Sequence, residues 1–223
     1  MDQQSAWDLV LSSLGPITRG AITGTIPLAL VSFALGLVLA LLLALMRLSK
    51  RRWLAVPARI VISVVRGTPL LVQLFVIFYG LPSVGLLIDP WPSAVVAFSV
   101  NVGGYAAEVI RAAILSVPKG QWEAAYMIGM SHRLALRRVI LPQAARVSVP
   151  PLSNTFISLV KDTSLASLIL VTELFREAQQ VAAFSQEFML LYLEAALVYW
   201  VICLVLSSVQ GSLEKRLDRY VAH

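Results

Sequence analysis

Four stretches of this chain, 20–46, 67–88, 90–107 and 195–213, run for 27, 22, 18 and 19 residues without one charged side chain. A helix rises about 1.5 Å per residue and the hydrocarbon core of a bilayer is about 30 Å thick, so such runs match what a crossing requires. Only 13% of the 223 residues are charged, about half the share usual in soluble domains. A fifth run, 147–160, has 14 uncharged residues and would cover only about 21 Å. Either Lys161 and Asp162 lie at membrane depth, or that helix is partly shielded by protein. Nothing reads as a linker, so the expectation is one all-α integral membrane domain over 1–223. Its five spans fall at about 19–47, 57–82, 90–112, 143–165 and 189–213.

Five spans put the termini on opposite sides, and lysine plus arginine tell which side is which. One face receives Arg47, Lys50, Arg51, Arg52 and Arg59, then Arg111, Lys119, Arg133, Arg137, Arg138 and Arg146, then Lys215, Arg216 and Arg219, which is 14 of 18. The other receives Arg19 and Arg176 with Asp2, Asp8, Asp89, Glu173, Glu177 and Glu187. The N-terminus is therefore expected outside and the C-terminus in the cytoplasm, with Arg66 and Lys161 in or near spans. The N-terminus has no basic segment of the kind that opens a cleaved signal peptide, so the first span is expected to serve as the insertion signal. A net charge of +6 dispersed between apolar runs excludes a nucleic-acid face. The one cysteine, Cys203, excludes an intramolecular disulfide and is expected to be a buried thiol. Trp53 and Trp91 fit interfacial anchors.

The largest expected cytoplasmic loop, about 118–142, contains "WEAAYMIGMSHRLALRRVILPQAA" and is too apolar for a flexible tether. Pro118 can open a short helix, Gly129 can end it, and Ser131 can cap a second helix closing near Pro142. His132 reads as a solvated surface residue. Such a knob either lies on the bilayer surface, where its arginines favour anionic lipid, or docks a cytoplasmic partner.

Glu123-Ala124-Ala125, three residues, Gly129, then Val139, one residue, and Leu141-Pro142 resembles the EAA loop of permease subunits of ABC importers, with valine where isoleucine is usual. The segments 66–82, 101–125 and 150–167 are similar to the polar amino-acid uptake permeases, and the combination most resembles bacterial L-cystine permeases. The resemblance implies a multi-pass subunit of the bacterial cytoplasmic membrane. It would work with a second permease chain, identical or a paralogue, a cytoplasmic ATPase dimer and an extracytoplasmic solute-binding protein. Glu123, Ala124, Ala125, Gly129, Leu141 and Pro142 would then couple this chain to the ATPase. No Gly-Lys dipeptide occurs anywhere, hence no phosphate loop of the GxxxxGK[ST] kind. ATP and magnesium are expected on the partner, with no cofactor, catalytic residue or metal site in this chain.

Ionisable groups at membrane depth are costly and tend to face a cavity or a partner. Lys161 and Asp162 could offer opposite charges to a zwitterion, or could neutralise each other at the boundary with Lys161 snorkelling. Asn154 and Ser158 lie one turn apart on the same helix face, and Thr163 and Ser164 add hydroxyls. Asn101, Tyr105 and Glu108 also share a face; the first two suit a midplane cavity, and Glu108 is expected to pair with Arg111 or Arg66. Arg66-Gly67-Thr68-Pro69 should kink the second span, either as a gate or as packing geometry. Two rival classes stand beside the importer subunit: a proton-coupled carrier using Glu108, Lys161 and Asp162, and a membrane scaffold recruiting a cytoplasmic protein. Carriers commonly contain internal repeats, and none is evident here.

Overall fold

A computed structural model describes residues 6–218, so Asp2 and Arg219 lie outside the described residues. Every regular element among the described residues is helical. The chain opens as α1 (Ala6–Gly20), continues through a π turn (Ala21–Thr25) and becomes α2 (Ile26–Leu48), which together form one helix of 43 residues. The uncharged run thus makes only the second part of this helix. Leu9, Ser13, Ile17 and Gly20 extend it at helical spacing, burying one stripe against later elements.

Next come α3 (Arg52–Gly67) and α4 (Leu70–Phe75), the latter continued by a π turn and a 3₁₀ turn to Val84. The two axes meet at 107°, so the expected span 57–82 is a sharply broken pair. Pro69 is the cause: it has no N–H to continue the helix, and it drives Thr68 to an extended conformation, φ −120° and ψ 145°. Then follow α5 (Pro90–Ser116), α6 (Lys119–Met127), α7 (His132–Ala135), a π turn (Leu136–Ile140) and α8 (Leu141–Asp162). A 3₁₀ stretch (Thr163–Ile169) leads to α9 (Leu174–Ser185) and to α10 (Phe188–Asp218).

Three helices are long and apolar enough to cross a membrane, Ala6–Leu48, Pro90–Ser116 and Phe188–Arg216, and the count reaches five if each of two bent pairs is one span. The second bent pair, His132–Ile169 with Leu174–Ser185, turns by 48°. α8 has 22 residues, about 33 Å, and attains that length only by including Arg146, Lys161 and Asp162.

α5 is the hub, packed against α2, α3, α4 and α8. Its apolar window is 56% buried against 17% for α10, which places the two at the centre and the edge. Close approach at the hub needs glycine. A Cβ on Gly36 would meet Val102 Cγ1 at 2.6 Å, one on Gly103 would meet Leu39 Cδ2 at 2.7 Å, and one on Gly104 would meet Val65 Cγ1 at 2.6 Å. Small residues that let backbones approach drive helix association in lipid, where no hydrophobic force separates helix from tail. Phe98, Ala94, Ala97, Ala106 and Ala107 complete the buried face of α5. Cys203 is half-buried rather than fully enclosed, because α10 is peripheral.

At one end, α1, α9 and α10 close over Glu173, a residue that sequence reasoning had placed only as an outer-face acid. It is buried and caps α9, accepting from the N–H groups of Arg176 (2.7 Å) and Phe175 (2.9 Å). Its Oε2 also accepts from the Tyr199 hydroxyl at 2.8 Å and from Thr25 Oγ1 at 3.3 Å. The Leu174 N–H donates to Thr25 Oγ1 at 3.2 Å, so the π turn of the first helix is tied to the start of α9.

Candidate functional site

A polar cavity of about 440 Å³ opens between α5, α8 and the α3–α4 break. Its lining comprises Thr68, Pro69, Leu70, Asn101, Val102, Tyr105, Asn154, Thr155, Ser158, Leu159 and Asp162. Helix periodicity explains the convergence. Asn101 and Tyr105 are one turn apart on α5, and Asn154, Ser158 and Asp162 follow at four-residue steps on α8. Five of the six path residues expected from sequence therefore meet. The sixth, Lys161, is exposed and is not among the lining residues, since neighbouring residues on a helix point about 100° apart. Its ammonium is not within salt-bridge distance of the Asp162 carboxylate, although its charge still acts on that group. Neither the Ser158 hydroxyl nor the Asp162 carboxylate makes a hydrogen bond to a described residue. Thr163 and Ser164 turn back on their own helix, donating to Val160 O at 2.7 Å and Lys161 O at 2.8 Å.

The broken second segment forms the rim. Pro69 cannot donate to the Val65 carbonyl, and the Gln73 side chain does so instead: its Nε2 lies 2.8 Å from Val65 O, 3.1 Å from Thr68 O and 2.9 Å from Thr68 Oγ1. Gln73 Oε1 accepts from Asn101 Nδ2 at 3.1 Å, linking the break to α5. Sequence reasoning missed Gln73. Its signal was available: it is the one strongly polar side chain in "PLLVQLFVIFYG" and stands four residues after the proline. Of the four kink residues, Thr68 and Pro69 line the cavity, while the Arg66 guanidinium lies 5.6 Å from the centre of the Tyr105 ring. A Cβ added at Gly67 would meet no other atom, so no close approach requires glycine there.

Glu108 pairs with Arg111, as expected, at 3.0 Å. Its other partner is Arg47 at the end of α2, not Arg66, because the α3 break carries Arg66 toward Tyr105.

The 118–142 segment forms a knob at the Arg47 end. Pro118 precedes α6, and Gly129 ends it with φ +80°. The Met130 N–H bonds Ala125 O at 3.0 Å and the Gly129 N–H bonds Tyr126 O at 2.9 Å, the paired closure that favours glycine at a left-handed position. The Ser131 hydroxyl caps α7 by accepting from Leu134 N. The second helix does not close near Pro142. A π turn, with the Leu141 N–H bonding Leu136 O, widens the backbone so that α8 runs on through the proline.

Ala125 is buried; Glu123, Ala124 and Gly129 are on the surface beside Met127 and Ile128, 87% and 75% exposed. Trp122, Val139 and Leu141 pack on Ala113, Ile114, Val117, Ile140 and Ala144, which fixes the knob to the ends of α5 and α8. His132 is exposed yet not free: it stacks on Trp122 at 5.0 Å, and its Nδ1 lies 2.8 Å from the Tyr126 hydroxyl.

The family of binding-protein-dependent transport system inner membrane components matches residues 20–219. The chain is 61% identical over 217 residues to the L-cystine transport system permease protein TcyB of Bacillus subtilis (strain 168), covering 97% of this chain and 93% of the relative. Its fold matches that in the crystal structure of an amino acid ABC transporter with histidines, with a TM-score of 0.86 and 35% identity over 92% of this chain and 96% of that one. An inward-facing MetNI methionine ABC transporter shares the fold at a TM-score of 0.71 and 18% identity, covering 97% and 99%.

Proposed function

This chain belongs to the binding-protein-dependent transport system inner membrane components, transport subunits rather than catalysts, and we propose that it forms half of the path by which an ATP-driven importer moves L-cystine. The observation that carries this is the cavity at the α3–α4 break. Amino-acid-sized ligands take pockets of about 300 Å³ and upward, and this one offers a carboxylate, Asp162, with neutral hydrogen-bonding groups around it. Asp162 suits a substrate ammonium; Asn101, Asn154, Ser158 and Thr68 suit the remaining polar atoms. An acid at membrane depth is tolerated where it faces such a cavity.

The chain is read as a single domain of five spans, each bent pair being one, with the N-terminus outside and the knob and C-terminus cytoplasmic. A second permease, identical or a paralogue, completes the path, a solute-binding protein delivers cystine, and the ATPase dimer holds ATP and magnesium. Met127 and Ile128 beside Glu123, Ala124 and Gly129 form the face that enters the ATPase, while Leu141 and Pro142 anchor it. Glu123→Lys and Gly129→Asp should each abolish labelled L-cystine uptake and detergent co-purification of the ATPase, with membrane levels kept. Normal uptake and co-purification in both would return the knob to a surface hairpin. Absence of ATP-dependent L-cystine uptake when this chain is expressed with its ATPase and binding protein would refute the substrate reading. A C-terminal reporter active only outside the cytoplasm would refute the topology.

A further inference from the structure

A second pocket, of about 390 Å³, lies beside the cavity on the side of the Arg47 end and is lined by Arg47, Arg59, Ile62, Ser63, Arg66 and Gly67. Arg47 is neutralised in part by Glu108, which Arg111 shares. No acid lies within salt-bridge distance of Arg59 or Arg66 among the described residues, and both are exposed. Arg59 and Arg66 are seven residues apart on α3, and Arg52 stands seven before Arg59. Such residues drift only about 20° around the helix and climb about 10 Å per step. The adjoining stripe of Ala58, Ile62 and Val65, about 80° around the helix, is the one buried against the bundle, so the arginines stand at the edge of that contact. The top step touches the cavity rim: Arg66 sits over the ring of Tyr105, and its carbonyl lies 3.5 Å from that hydroxyl.

Resting on the importer reading, we propose that Arg66 and Arg59 form an exit stair for the substrate's carboxylate, receiving it from the polar cavity and passing it toward the Arg47 end. The cavity's own charged group is an acid, which holds an ammonium but repels a carboxylate. Cationic steps on one side give the anionic end of a zwitterion a direction. Unpaired arginines at this depth call for a hydrated, cation-lined space, and an oxyanion is the ligand chemistry that fits it.

The test uses the whole transporter in a Cys203→Ser background with Ser63→Cys as a reporter inside the pocket. Inverted vesicles, exposing the ATPase side, are treated with an anionic or a cationic methanethiosulfonate, each rate being normalised to that reagent's rate with a free thiol. The anionic reagent should be favoured by about tenfold, and Arg59→Gln with Arg66→Gln should remove most of that preference, as should about 1 M salt. In intact cells each Gln variant should lower the maximal L-cystine uptake rate by about threefold or more, the ATPase remaining bound, and Arg→Lys should restore most of it. An unchanged reagent preference in the Gln variants, or unchanged uptake, overturns the stair. A Ser63→Cys thiol closed to both reagents until detergent extraction points to a bound lipid phosphate and overturns it as well. A parent transporter that moves no amino acid refutes the underlying function instead, while the reagent ratio still reports on the pocket.

Discussion

The Glu173 cluster and the cavity around Asp162 both put an acid among apolar helices, yet they treat it in opposite ways. Glu173 is fully enclosed and accepts four hydrogen bonds, from two backbone N–H groups, a tyrosine and a threonine. Asp162 is half-buried, accepts none from the described residues, and faces an open volume. A buried acid whose capacity is filled holds a fold together, because removing it leaves several donors without a partner at once. An acid left with free acceptors at membrane depth has capacity for something that is not part of the chain.

The largest effect should come from the filled site. Glu173→Ala strips the cap from α9 and the acceptor from Tyr199 and Thr25, with a loss of about 3 kcal/mol or more. Thermal unfolding in detergent and the amount of assembled transporter read this out. A variant that assembles and melts like the parent would break the contrast at its first term.

Asp162→Asn should behave in the reverse manner: stability within about 0.5 kcal/mol of the parent and L-cystine uptake lower by about tenfold or more. That ratio corresponds to losing one hydrogen bond to a charged group. Uptake measured across substrate concentrations at matched expression decides it, and loss of assembly in step with uptake would place Asp162 with Glu173. Lys161→Ala should cost less, about twofold to threefold, since Lys161 lies outside the cavity lining. An effect as large as that of Asp162→Asn would bring Lys161 back as a ligand, through a conformation or a second permease chain.

These contrasts also mark what could be read from sequence. The knob was legible because its signals are local: Pro118, Gly129 and Ser131 act on their own backbone within four residues. Part of the cavity wall was legible because one-turn spacing puts Asn154 and Ser158 on one face; that Asp162 continues this face while Lys161 leaves it was not read from their adjacency. Partners across helices were not legible. Arg47 was counted only as a loop charge, although it reaches Glu108 across 61 residues. Glu173 was counted only as an outer acid, although Thr25 lies 148 residues away. Run length misled at both kinds of helix end. It could not show that polar and amphipathic residues before Gly20 keep the helix going, and the break in the uncharged 67–88 run was signalled by Arg66-Gly67-Thr68-Pro69 rather than by run length. Pro142 misled because a π turn can absorb a proline that would otherwise end a helix.

Gln73 belongs to both regimes and gives the smallest, sharpest test. Its amide nitrogen is structural, replacing the donor that Pro69 lacks, while its oxygen holds Asn101 at the cavity wall. Gln73→Leu should therefore lower stability by about 1 kcal/mol, because the Val65 carbonyl loses its partner. It should also change uptake only a few-fold, since Asn101 loses its fixed orientation but stays in the lining. A double-mutant cycle of Gln73→Leu with Asn101→Ala isolates the link between α4 and α5. Interhelical hydrogen bonds in membrane proteins average about 0.6 kcal/mol by such cycles, and a coupling near that value is expected here. A stability coupling of that size with independent effects on uptake would assign the Gln73–Asn101 pair to the scaffold. Uptake effects that fail to multiply would show the pair orienting the groups that meet the substrate.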